Sequence, residues 1–128
     1  MVNKHLKGRI LKLLRYWRPI LDLENWVFYI HWGEKKILAG CEADPEYKQV
    51  HLYFNLPKIA KQLKGALDLE ELVVHELTHS PLWLLSRGLK NRRLSREEEF
   101  AEENTTTTVS RALIRARSAG ALRAKRRG

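Results

Sequence analysis

The residues best suited to chemistry in this 128-residue chain fall within five positions, His75-Glu76-Leu77-Thr78-His79. On a helix, side chains four apart stand about one turn apart on the same face, so His75 and His79 can present two imidazoles to one metal ion. Glu76 then lies beside that ion, where its carboxylate can take a proton from a water held at the metal. The pattern is that of a zinc site performing hydrolysis. It requires a third ligand and elements that wall off a cleft.

The surroundings of the motif strengthen the zinc reading. Leu69, Leu72, Val73, Val74, Leu77, Leu82, Trp83, Leu84 and Leu85 enclose it on nearly all sides, and a helix that is hydrophobic all round is normally buried. Two histidines and a glutamate entering a dry interior unpaired would be costly, and a divalent cation removes that cost. Asp68 and Glu71 have the spacing of a capping box at the start of this helix. Pro81 lacks the N–H that would bond the Leu77 carbonyl, which predicts a kink just past His79.

The third ligand follows by elimination and then by geometry. Beyond His79 there is no histidine, aspartate or cysteine, so a downstream ligand must be Glu97, Glu98, Glu99, Glu102 or Glu103. Ser95 and Glu98 form a second capping-box pattern, predicting a helix through about Arg117 with Val109, Ala112, Leu113 and Ala116 facing inward. If the motif helix runs on to about Arg87, it travels roughly 12 Å past His79, and the returning helix must climb about eight residues. That selects Glu102, in register with Thr106, Val109 and Leu113, then Glu103, then Glu98.

The remaining elements are read from periodicity. Leu6, Ile10, Leu13, Leu14 and Trp17 recur at helical spacing, and Arg18-Pro19 is expected to stop that helix. From Trp26 the period becomes two: Trp26, Phe28, Ile30 and Trp32 point one way, and Val27, Tyr29 and His31 the other. A turn at Gly33-Glu34-Lys35-Lys36 leads to a second strand, 37–43. Another at Asp44-Pro45-Glu46 leads to a third, 49–54, which reads as an antiparallel meander. A short helix, 57–64, ended by Gly65, precedes the motif helix. The class is α+β.

Composition sets the outer limits. With 44% apolar residues the chain suits one domain, expected over residues 1–117, followed by a basic, flexible tail, 118–128. A single cysteine, Cys41, excludes an internal disulfide and a cysteine zinc ribbon, and with no long apolar run this points to a cytoplasmic protein without a membrane span. The net charge of +9 is concentrated at both ends, in Lys4, Lys7, Arg9, Lys12, Arg15 and Arg18 and in Arg111, Arg115, Arg117, Arg123, Lys125, Arg126 and Arg127. Such ends suit nucleic acid phosphates, an acidic partner or an anionic membrane surface, or simply a solvated face.

With its pieces in place, the chain resembles the gluzincin class of metallopeptidases, above all the very small single-domain members of prokaryotes and their viruses. His75-Glu76-Leu77-Thr78-His79 and Glu102-Glu103-Asn104 leading into Val109-Ser110-Arg111-Ala112-Leu113 carry the likeness, over roughly residues 26 to 117. It implies a minimal zincin-like domain, zinc on His75, His79 and Glu102, and Glu76 as general base for hydrolysis of a protein or peptide, in the cytoplasm of the cell or of a viral host. The motif is also similar to that of the SprT-like proteases. Those use a histidine as third ligand and often add a cysteine zinc ribbon, neither of which is available here. Tyr53, His51, Tyr47 and His31 are candidates to stabilise the oxyanion, and the strand 49–54 would pair with an extended substrate if it lay at the sheet edge. The alternative function is a zinc-containing, weakly catalytic regulator that associates with nucleic acid through the basic ends.

Overall fold

The computed structural model describes residues 2–33, 36–44, 47–63, 65–83 and 95–127. The expected turns through residues 34–35 and 45–46, together with Leu84, Leu85 and a continuation to Arg87, lie outside the described residues. The elements are α1 (Val2–Ile20), β1 (Val27–His31), β2 (Ala39–Asp44), β3 (Gln49–Phe54), α2 (Leu56–Gln62), α3 (Ala66–Trp83) and α4 (Arg96–Arg127). Helices beside a single small sheet make the fold α+β, as the sequence predicts.

Leu6, Ile10, Leu14 and Trp17 of α1 are buried together with Val50, Leu52 and Phe54 of β3 and Val73, Val74 and Leu77 of α3. α3 therefore runs through the centre, packed against β2, α1 and α4. α1 continues through Pro19 to Ile20 instead of stopping at Arg18. Asp22, at φ 57°, ends it in a Schellman arrangement, with its N–H on the Pro19 carbonyl and the Leu23 N–H on that of Arg18. Among the described residues, no helix is long and apolar enough to cross a membrane.

The sheet is not a meander. Its order is β1-β3-β2, with β3 parallel to β1 and antiparallel to β2. Burial explains the central place of β3: Val50, Leu52 and Phe54 are all 0% exposed, whereas β1 alternates exposed and half-buried residues and β2 carries Gly40, Glu42 and Asp44. The connection from β1 to β2 therefore crosses two strand spacings, about 10 Å, rather than forming a tight hairpin. The inward and outward sets expected for β1 and β3 hold, because side-chain alternation is independent of the neighbouring strand.

The three later helices start differently from one another. α2 is capped by Asn55, whose side chain accepts the Lys58 N–H at 3.1 Å. α3 begins at Ala66, so Asp68 lies within its first turn and the expected Asp68–Glu71 box is not formed. There the Asp68 carboxylate favours the positive end of the helix dipole. The helix continues past Pro81 to Trp83. At α4 the box does form: the Ser95 N–H donates to Glu98 Oε1 at 3.1 Å and the Glu98 N–H to Ser95 Oγ at 3.2 Å. α4 extends to Arg127, past the Arg117 at which the helix was expected to end.

The inner face of α4 differs from the expected stripe. Thr106 and Ser110 are 0% exposed and Ile114 9%, with Leu113 half-buried, while Val109, Ala112 and Ala116 face outward. Buried hydroxyls are tolerated because they bond to their own helix, Thr106 Oγ1 to the Glu102 carbonyl at 2.7 Å and Ser110 Oγ to that of Thr107 at 3.1 Å. Polar clamps complete the docking. Glu70, 5% exposed, accepts the Trp17 indole N–H at 2.9 Å and the Arg117 guanidinium, joining α1, α3 and α4, while Arg111 bonds Glu71 at 2.8 Å nearer the surface. Removing one partner of a buried charged network is far more damaging than removing a surface ion pair. Glu70→Ala is therefore expected to cost about 3 kcal/mol and Glu71→Ala less than about 1 kcal/mol, read as shifts of the urea unfolding midpoint.

Candidate metal centre

α3 and α4 lie antiparallel, and their meeting point brings the motif to the downstream acids. His75 Nε2 stands 2.6 Å from Glu103 Oε1, and His79 Nε2 stands 3.3 Å from Glu103 Oε2. One carboxylate thus spans both imidazoles. The two rings are nearly perpendicular, at 82° with centroids 4.9 Å apart, as expected for side chains stacked one turn apart on a helix. His75, His79 and Glu103 each offer a ligand atom within 4.8 Å of the others.

Glu102, the first choice of the sequence argument, sits on the other side of His79. Its Oε1 is 3.6 Å from His79 Nδ1, and its side chain is 8% exposed against 56% for Glu103. Glu102 is the more inward residue, but Glu103 is the one that reaches both Nε2 atoms. A carboxylate behind the far nitrogen of an imidazole fixes the ring's orientation and tautomer and raises its basicity, the usual arrangement around a metal-binding histidine. Glu98, the third choice, instead closes the cap at Ser95.

Electrostatics explain what this cluster is suited to hold. Glu76 is 6% exposed, and its pKa is raised from the ordinary carboxylate range to about 8, first by burial and then by the charge of Glu103. Burial also lowers the His79 pKa, which favours the neutral imidazole that a metal ion requires. Two imidazoles and a carboxylate converging beside a second, buried carboxylate match the donor chemistry of a divalent transition ion such as Zn2+. The residues present therefore fit zinc.

The cleft beside the cluster, about 370 Å³, is lined by Ala39, Gly40, Cys41, Glu76, His79, Glu99, Glu102 and Glu103. β2 is thus its wall, a role the sequence did not signal: strand order depends on pairing between distant segments. Cys41 Sγ lies 3.8 Å from Ser80 Oγ, and burial pushes its thiol up to about 12, so it remains protonated. The candidate oxyanion donors lie elsewhere. His31, His51 and Tyr53 share the outer face of the sheet, with His31 Nε2 2.9 Å from His51 Nδ1, stacked rings, and the Tyr53 hydroxyl donating to Glu42. Tyr47 is 67% exposed, and none of the four lines the cleft. Nor is β3 an edge strand; β2 holds that position beside the cleft.

The chain is similar to a SprT-like protein. Over 93 residues it is 33% identical to "Protein SprT-like" of Lactococcus lactis subsp. lactis (strain IL1403), covering 72% of this chain and 55% of that protein. The chain thus spans about half the length of the curated relative it matches. No family model matches it, and no solved structure does so.

Burial of Glu76 has a measurable consequence in the metal-free protein. A carboxylate whose folded pKa is raised destabilises the fold once pH exceeds its unfolded value, and the penalty grows until pH passes the folded value. For Glu76 that window runs from 4.5 to about 8. The neutral isostere Glu76→Gln is therefore expected to raise the melting temperature of chelator-treated protein by about 5 °C or more at pH 8, and by little at pH 4.5, in paired thermal scans.

Proposed function

We propose that this chain is a zinc-dependent peptidase of gluzincin type, with His75, His79 and Glu103 as ligands and Glu76 as general base. The observation that carries the reading is the Glu103 carboxylate spanning the Nε2 atoms of both motif histidines beside the buried Glu76. The likeness to a SprT-like protein supports it at the level of a metallopeptidase-like protein. The glutamate in third position sets this chain apart from the histidine expected of SprT-like proteases.

When bound, zinc would supply a Lewis acid that lowers the pKa of water and polarises a carbonyl oxygen. The protein's own groups do the rest. Glu102, at Nδ1 of His79, keeps Nε2 of that ring turned toward Glu103. Glu76 takes a proton from the attacking water on its carboxylate and delivers it to the leaving amide nitrogen. With a dication held beside it, the carboxylate of Glu76 would start ionised despite its burial. β2, at the sheet edge and lining the cleft through Ala39, Gly40 and Cys41, offers main-chain groups to an extended substrate, the role the sequence assigned to β3.

The test combines metal content with proteolysis. Purified wild type is expected to hold one zinc per chain and to cleave an unfolded protein such as reduced casein. Glu76→Gln should retain zinc and lose about 100-fold or more of the rate. Cleavage that survives both chelation and Glu76→Gln would overturn the proposal. Among ligand variants, Glu103→Ala should weaken zinc binding more than Glu102→Ala, whose loss should be about 10- to 100-fold, measured by competition with a chromophoric chelator.

A further inference from the structure

The sheet has two edges, and only the β2 edge belongs to the cleft. The other is β1. The Val27 N–H bonds the Lys48 carbonyl, next to β3. In a strand, main-chain polar groups alternate sides, so Tyr29 and His31 also address β3 while Phe28 and Ile30 turn their N–H and C=O outward. Among the described residues nothing pairs with them. Trp26 has the same phase, and its carbonyl accepts a hydrogen bond from the Arg18 guanidinium at 2.9 Å. The strand Val27-Phe28-Tyr29-Ile30-His31 carries none of the lysines, acids or prolines that commonly protect an edge.

A groove of about 190 Å³ runs beside this edge, between α1 and β1, lined by Leu11, Leu14, Arg15, Arg18, Phe28 and Ile30. Its walls are apolar and two guanidiniums border it. Arg18 lies over the Phe28 ring at 4.1 Å, and its Nε is buried with no acceptor among the described residues. Leu11, 38% exposed, leaves the groove's apolar wall open to solvent.

We propose that the β1 edge and this groove dock an extended segment of a partner protein, one that carries alternating apolar and acidic residues. The segment adds a strand through the main-chain groups of Phe28 and Ile30, places an apolar side chain in the groove, and sets a carboxylate against Arg15 and Arg18. Charge selects this occupant. α1 through Arg18 holds six lysines and arginines and no acid, so a second copy of the chain on this edge would bring like charges together, while an acidic strand complements them. The surface lies across the sheet from the candidate metal centre and does not depend on the peptidase reading.

The experiment titrates a heptapeptide of alternating valine and glutamate into the 15N-labelled full chain and follows the amide resonances. Saturable shifts concentrated at Leu11, Phe28 and Ile30, with a Kd at or below about 1 mM, are expected. Arg15→Glu, an exposed substitution, and a valine–lysine peptide should each weaken binding about fivefold or more, with zinc content unchanged in the variant. The proposal is overturned by the absence of saturable shifts, by shifts centred on β2 or α4, or by equal binding of the lysine peptide. It is also overturned if β1 resonances shift with protein concentration alone, as self-association would require, or if a single-stranded oligonucleotide binds the same residues more tightly than the peptide.

Discussion

The structure turns on one carboxylate lying across two imidazoles. Glu103 reaches His75 and His79 from a different helix, so the candidate centre exists only while α4 keeps its register along α3. That register does not come from a broad apolar seam. Thr106 and Ser110 occupy the inner face, Ile114 and Leu113 supply the apolar contact, and the Glu70–Arg117 and Glu71–Arg111 pairs hold the far end. A metal ion at the near end would pin that register where the apolar contact is sparse.

The charge pattern gives the same conclusion from another direction. The protein is basic overall, yet Glu76, Glu99, Glu102 and Glu103 converge on one cleft. Two of these acids are nearly out of contact with water, and the thiol facing them stays protonated. Without a cation, burial and the charge of Glu103 favour the neutral form of Glu76; a cation beside it would favour the ionised form that the proposed base requires.

The features legible in the sequence were those set by neighbours along the chain. His75 and His79 share a face because four residues make about one turn, the α1 stripe follows from the same period, and the Ser95–Glu98 box needs only local geometry. The choice between Glu102 and Glu103 was harder. Adjacent helical residues differ by about 100° in direction, and the inner face of α4 is written in threonine and serine, which bury only because they bond to their own backbone. Sheet order was hidden for another reason: alternation in β1 and β3 is the same in a meander as in the mixed sheet. His31, His51 and Tyr53 fall on the outer face by that alternation, and with β3 central β2 becomes the wall of the cleft.

The central claim is the donor set, two imidazoles and one glutamate from α4, and X-ray absorption at the zinc edge of the zinc-loaded protein tests it most directly. The account predicts only nitrogen and oxygen neighbours at about 2.0–2.2 Å, two of them imidazoles, with the spectrum altered in Glu103→Ala and retained in Cys41→Ser. A sulfur scatterer at about 2.3 Å, a third imidazole, or a spectrum indifferent to Glu103→Ala would contradict it.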